Sequence, residues 1–348
     1  MTIKPGAFRF NNDSMKLEIF RGSANYEGSA SMAGIGTLAA GQWEEIQATS
    51  PEVQTGGTRG VFGGGQPGST PTIDYVNVST TGDALDFGDL TYSDGFICKG
   101  GAASRVRGLF QGGRVAVNNI DGFTFASTGS SFDFGNLTIG REDPAGVSNS
   151  TRGVFMAGGQ HPGSSPYTHY LNTIDYVTIA STGDASDFGD TTTTRRHHGT
   201  CASSTRGISA GGHLLTDVID YITISTLGNA ADFGNLPTAN YGVSGASNSV
   251  RGIFSMGSNP SKNNVINYLT IATLGDALDF GDLIDTAQYG AGVVSSPTRV
   301  CFGGGNRPGV TNRISYVQIT STGDAIDFGD LTAARYHLGG TSNGHGGL

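Results

Sequence analysis

Short runs rich in β-branched, aromatic and small apolar residues recur along the chain, each closed by glycine or an Asp-bearing turn. One run reads R-G-V-F, as at Arg59–Phe62 and Arg152–Phe155; a second reads I-D-Y-V-T-I, as at Ile174–Ile179; a third is the short D-F-G-D-L. Such runs predict β-strands. In the second, Ile174 and Tyr176 alternate with Val177 and Ile179, so both faces are apolar and both are expected to be buried. Between the second and third runs lies S-T-G-D-A. Its glycines, Gly82, Gly129, Gly183, Gly228, Gly275 and Gly323, suit a hairpin turn with positive φ. A fourth run of small apolar residues precedes R-G-V-F at 199–204, 241–248 and 290–296.

The whole unit repeats six times. Its D-F-G phenylalanines are Phe87, Phe134, Phe188, Phe233, Phe280 and Phe328, giving a repeat of about 48 residues, a period typical of propellers and solenoids. Four antiparallel strands per repeat make a propeller blade. After the sixth D-F-G-D-L the chain runs through Thr332–Asn343, which matches the fourth-strand run but has no R-G-V-F after it. The first R-G-V-F correspondingly has no such strand before it. The expectation is an all-β chain: a six-bladed β-propeller over residues 51–348, closed by its C-terminal strand, after a small β-hairpin module over residues 1–50. Closure removes unpaired strand edges, and the D-F-G phenylalanines are expected to pack between blades.

Composition adds limits. Of 348 residues 57 are glycine, an excess that six sets of turns explain, and only 14% are charged, too few for a disordered polyelectrolyte. The net charge of −9 disfavours a nucleic-acid partner, although much of the acid is repeat architecture. Cys98, Cys201 and Cys301 are scattered without a C-x-x-C pair, which gives neither a disulfide framework nor a zinc motif. The N-terminus has no apolar signal-peptide core, and no long apolar run occurs. The expectation is synthesis in a cytoplasm without membrane insertion.

The G-G doublet after a hydrophobic strand, followed by a Tyr-bearing strand, resembles Kelch repeats over about residues 55–348. The usual repeat tryptophan is absent, since the only one, Trp43, lies outside the repeats. The phrase I-D-Y-V-T-I-x-S-T-G-D-A-x-D-F-G-D-L-T is similar to Kelch-like repeats encoded by tailed phages, especially those of marine cyanobacteria. Gly6–Gly22 and Gly41–Ile46, with Phe8, Phe10, Phe20 and Trp43, resemble a small β module of phage tail-fibre and virion proteins, here split by an insertion at 23–40. That resemblance implies a virion protein attached to other virion proteins through Phe8, Phe10, Phe20 and Trp43, with homo-oligomerisation open.

Several motifs carry less than they suggest. Six D-F-G triplets lack the glycine loop, catalytic loop and β3 lysine of a kinase. The T-G-D-A-x-D acids lack EF-hand spacing. The runs Gly63–Gly65 and Gly303–Gly305 lack the helix and G-K-[ST] of a phosphate loop. Six equivalent arginines, Arg59, Arg107, Arg152, Arg206, Arg251 and Arg299, are expected to pair with repeat carboxylates such as the D-F-G aspartates.

Function should lie where the repeats differ. The longest variable loop, 160–172, carries His161, Tyr167, His169 and Tyr170, suited to glycan stacking or protein contact. Two irregular clusters, Arg195–Arg196–His197–His198 and Arg335–Tyr336–His337, enter inner strands and are expected at one mouth of the central channel. Neighbouring His197 and His198 point oppositely on a strand, so the pair does not make a metal site. No catalytic constellation is visible, and the expectation is a protein that is not an enzyme and takes no cofactor. The leading expectation is a tail- or fibre-associated phage protein presenting its propeller to a host-surface glycan or receptor. A capsid or neck decoration protein, a polysaccharide-degrading propeller and an intracellular adaptor are the alternatives.

Overall fold

The computed structural model describes residues 8–11, 16–21, 42–45, 58–92, 100–113, 117–160, 169–255, 257–259, 261–285, 290–307 and 309–348. The chain divides into two units, Met1–Gln54 and Thr55–Leu348. In the first, Lys16–Arg21 lies between Phe8–Asn11 and Gln42–Glu45 in a three-stranded antiparallel sheet. Phe8, Phe10, Phe20 and Trp43 all fall on these strands, and Phe20 is paired in register with Trp43.

The second unit is a six-bladed β-propeller of four-stranded antiparallel sheets. Blade 1 pairs Gly339–Ser342 with Arg59–Gly63, so the last strand of the chain completes the first blade. Gly339 lies opposite Gly63 and Ser342 opposite Gly60. The expected strand exchange is therefore present.

Each third strand pairs with the D-F-G strand through a one-residue register shift, as between Ile73↔Gly88 and Asp74↔Asp86. The same bulge recurs in all six blades. A bulge re-aims a side chain, and here the phenylalanine turns into the seam with the next blade. Phe87 packs with Phe110, Phe123 and Phe125 of blade 2, and Phe328 of blade 6 packs with Phe62, Val76 and Val78 of blade 1. Five of the six rings also meet their own blade's tyrosine edge-to-face, as Tyr75–Phe87 does at 5.9 Å and Tyr316–Phe328 at 5.7 Å, whereas blade 2 has Gly122 at that position. Truncating such a buried ring costs about 3–5 kcal/mol.

Backbone contact locks the same seam. The hairpin amide of Gly129 donates to the Phe87 carbonyl, Gly82 does so to Phe328, and the pattern runs round the ring. The D-F-G glycine permits this approach. A Cβ on Gly88 (φ +145°) would lie 2.4 Å from the Gly129 carbonyl carbon. Near the axis the first strands press together just as closely: a Cβ on Gly340 would lie 2.3 Å from the Val293 carbonyl oxygen. Small residues there follow from six strands converging on one line.

The six repeat arginines differ from expectation. Each donates Nη1 to a backbone carbonyl of the following blade: Arg59 to Phe125 (2.6 Å), Arg107 to Ile179 (2.8 Å), Arg152 to Ile224 (2.8 Å), Arg206 to Ile271 (2.9 Å), Arg251 to Ile319 (2.9 Å) and Arg299 to Ser79 (2.9 Å). Five of the guanidinium groups also stack on the tyrosine of their own blade, as Arg152 does 4.5 Å above Tyr176. The D-F-G aspartates point into solvent instead. A planar donor fork bridges a ring face and a carbonyl at once, whereas a solvated carboxylate gains little from pairing.

The buried acids are those of I-D-Y. Asp74, Asp175 and Asp220 are fully buried and bind Arg335, Arg141 and Arg195 respectively. Each also accepts hydrogen bonds from the threonine that follows the previous blade's D-F-G strand: Thr332, Thr138 and Thr192. Burial lowers the pKa of all three guanidinium groups, and the facing aspartate opposes that shift. Asp121 keeps the hydrogen bonds from Thr91, but burial dominates and raises its pKa.

Candidate functional site

The two ends of the channel are built differently. At one end the segment after Ser342 crosses the axis. His345 Nε2 lies 3.1 Å from both Ser148 Oγ and the Ala103 carbonyl, and the Gly346 amide donates to Ser247. The tail therefore bridges blades 2, 3 and 5 and closes that end. Burial pushes the His345 imidazole down to about 4, with the Ala103 hydrogen bond opposing.

The other mouth is formed by the segments that lead into the first strands and by the variable loops after G-G. Backbone hydrogen bonds join the two sets: Gln66 with Tyr336 in both directions, and His213 to the Arg196 carbonyl at 2.7 Å. The expected clusters enter Gly199–Ala202 and Gly339–Ser342 at this mouth.

Their side chains divide by depth. Arg195 and Arg335 are buried and hold Asp220 and Asp74, so both belong to the fold. Arg335 also donates to the carbonyls of Gly64 (2.9 Å) and Thr72 (2.8 Å), fixing the closing segment to blade 1. Arg196 is nearly buried, pairs with Glu142 at 2.6 Å and lies 5.6 Å over the Tyr170 ring. His198 is buried. His169 is exposed at the start of the strand His169–Thr178, while His161 and Tyr167 lie outside the described residues.

The remaining rings form one arc. Tyr170 stacks on His213 (4.8 Å), His213 meets Tyr241 (6.1 Å), Tyr241 meets His197 (6.5 Å), His197 meets His337 (5.4 Å) and His337 meets Tyr336 (5.0 Å). Tyr170, His213, Tyr241 and Tyr336 are half-buried, with faces or edges in solvent, whereas His197 and His337 form the buried floor. Beside His213 the exposed Leu214 and Leu215 hold left-handed backbone, with φ of 79° and 55°. Strained, exposed apolar residues of this kind concentrate at functional loops.

Sequence reasoning missed His213, Tyr241, Glu142 and Asp143. The Asp143 carboxylate reaches His197 Nε2 at 3.3 Å and His337 Nδ1 at 3.8 Å. The three ligand-type atoms of Asp143, His197 and His337 lie within 4.8 Å of one another. His197 meets partners on the segments that lead into blades 1, 3 and 5: His337, Asp143 and Tyr241. A repeat alignment carries the missing signal: Asp143 stands as far ahead of Arg152 as His197 does of Arg206.

A scan of protein-family models finds no match to this chain, and no curated protein matches it either.

Proposed function

We propose that the protein is a phage virion component, tail- or fibre-associated, whose propeller presents this mouth to a host-surface glycan or receptor while the N-terminal sheet joins it to other virion proteins. The arc Tyr170–His213–Tyr241–Tyr336, with Leu214 and Leu215 at its rim, is the observation that carries the binding reading. Half-exposed aromatic rings give large apolar contact together with a polar edge, the combination that stacks on sugar faces. The scaffold beneath is rigid, so little ordering entropy opposes binding. The Kelch-like and phage-like phrases of the sequence support the virion assignment. Weak single-site affinity is the expected regime, and several propellers on one particle raise avidity by about 10²–10⁴.

The chemistry proposed is binding without turnover. Glu142 and the arginines at this mouth are engaged in ion pairs, an arrangement suited to holding a shape. The test is a glycan array and a whole-cell binding assay with the purified chain, alongside Tyr170→Ala and Tyr336→Ala. Specific binding that falls at least about tenfold in both variants supports the reading. Absence of any binding removes it and leaves a decoration role on capsid or neck. Cleavage of host envelope polysaccharide would favour an enzyme.

A further inference from the structure

Among the described residues, the segments leading into the first strands of blades 1, 3, 4, 5 and 6 place one residue each at equivalent positions around the mouth. In blades 5 and 6 that residue is Gly242 (φ 76°) or Gly290 (φ 72°), in the left-handed region. In blades 3, 4 and 1 the same left-handed backbone carries Asp143 (φ 50°), His197 (φ 53°) and His337 (φ 58°). Side chains are disfavoured in this region, although Asp and His tolerate it better than most. The repeat thus shows that glycine serves the backbone here. Among the described residues, where a side chain is kept instead it is a metal-ligating type all three times, and the three side chains turn inward to meet.

We infer that Asp143, His197 and His337 form a binding site for a divalent first-row transition ion, such as zinc or cobalt, on the propeller axis. Two imidazoles and one carboxylate suit such ions, whereas calcium and magnesium take oxygen ligands. Around a tetrahedral ion with bonds of about 2.0–2.1 Å, neighbouring ligand atoms lie about 3.3 Å apart. Asp143 Oδ2 and His197 Nε2 are already 3.3 Å apart, and Asp143 Oδ1 and His337 Nδ1 are 3.8 Å apart. Small side-chain rotations bring the set to coordination distance. All three residues are buried, which limits competing water.

Local charge agrees. The arginines on these three segments each face a carboxylate of their own: Arg141 with Asp175, Arg195 with Asp220, Arg196 with Glu142 and Arg335 with Asp74. Their positive charges are balanced, so a cation entering beside Asp143 meets no net repulsion from them. Three protein ligands leave a fourth position for water or for a polar group of a bound solute. This inference rests on the triad alone and stands whether or not the mouth binds a host glycan.

The test uses the full chain, stripped with a chelator and titrated with zinc chloride and with cobalt chloride. Calorimetry is expected to show one ion per chain, and cobalt to give the strong visible absorption of a four-coordinate site. Zinc should raise the melting temperature by mass action. The decisive variants are His197→Gly and His337→Gly, which install the residue that blades 5 and 6 already carry and so spare the backbone. They are expected to keep the wild-type circular dichroism and to bind about 100-fold more weakly or not at all. Asp143→Gly should behave alike, and His213→Ala, on the same arc but outside the triad, should bind as wild type. Absence of stoichiometric binding by the wild type overturns the inference. So does binding that survives unchanged in the two histidine variants, which would mark an adventitious surface ion.

Discussion

Arg335 ties the closing segment to blade 1, and its removal should be costly for a specific reason. Arg335 is 2% exposed, and its guanidinium binds the fully buried Asp74 carboxylate and donates to two further carbonyls. Arg335→Asn leaves that carboxylate charged and buried with only Thr332 as a donor, a loss of about 3–5 kcal/mol. Blade 5 contains a neutral version of the same arrangement, with Asn267 in place of the aspartate and Asn240 in place of the arginine. The double variant Asp74→Asn/Arg335→Asn should therefore recover at least half of the loss, because replacing both members of a buried pair is often close to neutral. Urea unfolding followed by far-ultraviolet circular dichroism measures this, since Trp43 lies in the N-terminal unit. A double variant as unstable as Arg335→Asn, or a single variant within about 1 kcal/mol of wild type, refutes the reasoning.

Three further outcomes follow from the same contacts. Deleting residues 333–348 removes the strand Gly339–Ser342, the ion pair to Asp74 and the His345 closure, and should give an aggregating chain without a cooperative melt, read by light scattering and calorimetry. Gly88→Ala drives a Cβ into the Gly129 backbone at a positive φ and should destabilise by more than about 1 kcal/mol, whereas Gly68→Ala, with open space around its Cβ, should cost less. His345 has its folded pKa lowered to about 4 from 6.5, so the unfolded chain binds the proton more tightly. Its contribution is complete above pH 6.5 and is lost as pH falls from 6.5 to 4, by about 3 kcal/mol in all. His345→Gln should flatten that part of the stability–pH curve, and an unchanged slope would show that another group is responsible.

The architecture was legible because six copies of one phrase fix it several times over, and the orphan strand at 339–342 has no place except before Arg59. The arginine partners were not legible. Pairing by charge is the natural reading of a sequence, but burial of the I-D-Y aspartates and exposure of the D-F-G aspartates is decided by the bulge that turns each phenylalanine inward. One clue was available within the repeat. Thr91, Thr138, Thr192 and Thr332 precede blades with aspartate at I-D-Y, whereas Pro237 and Ile284 precede blades with Asn267 and Ser315. Threonine and aspartate vary together because one hydrogen-bonds the other. Tyr170, Arg196, His197, Tyr336 and His337 were visible as irregularities and do meet at one mouth. Asp143 was not, and its equivalence to His337 appears only when the repeat is aligned through the closing strand at the far end of the chain.

That strand also places the mouth, because Tyr336 and His337 reach it only if Gly339–Ser342 docks on Arg59–Gly63. Amide hydrogen exchange of the intact chain measures the docking directly. Protection at Gly340–Ser342 equal to that at Gly245–Ser247 in blade 5 is the predicted result. Exchange at the rate of a free tail would contradict ring closure, and with it the assembled site.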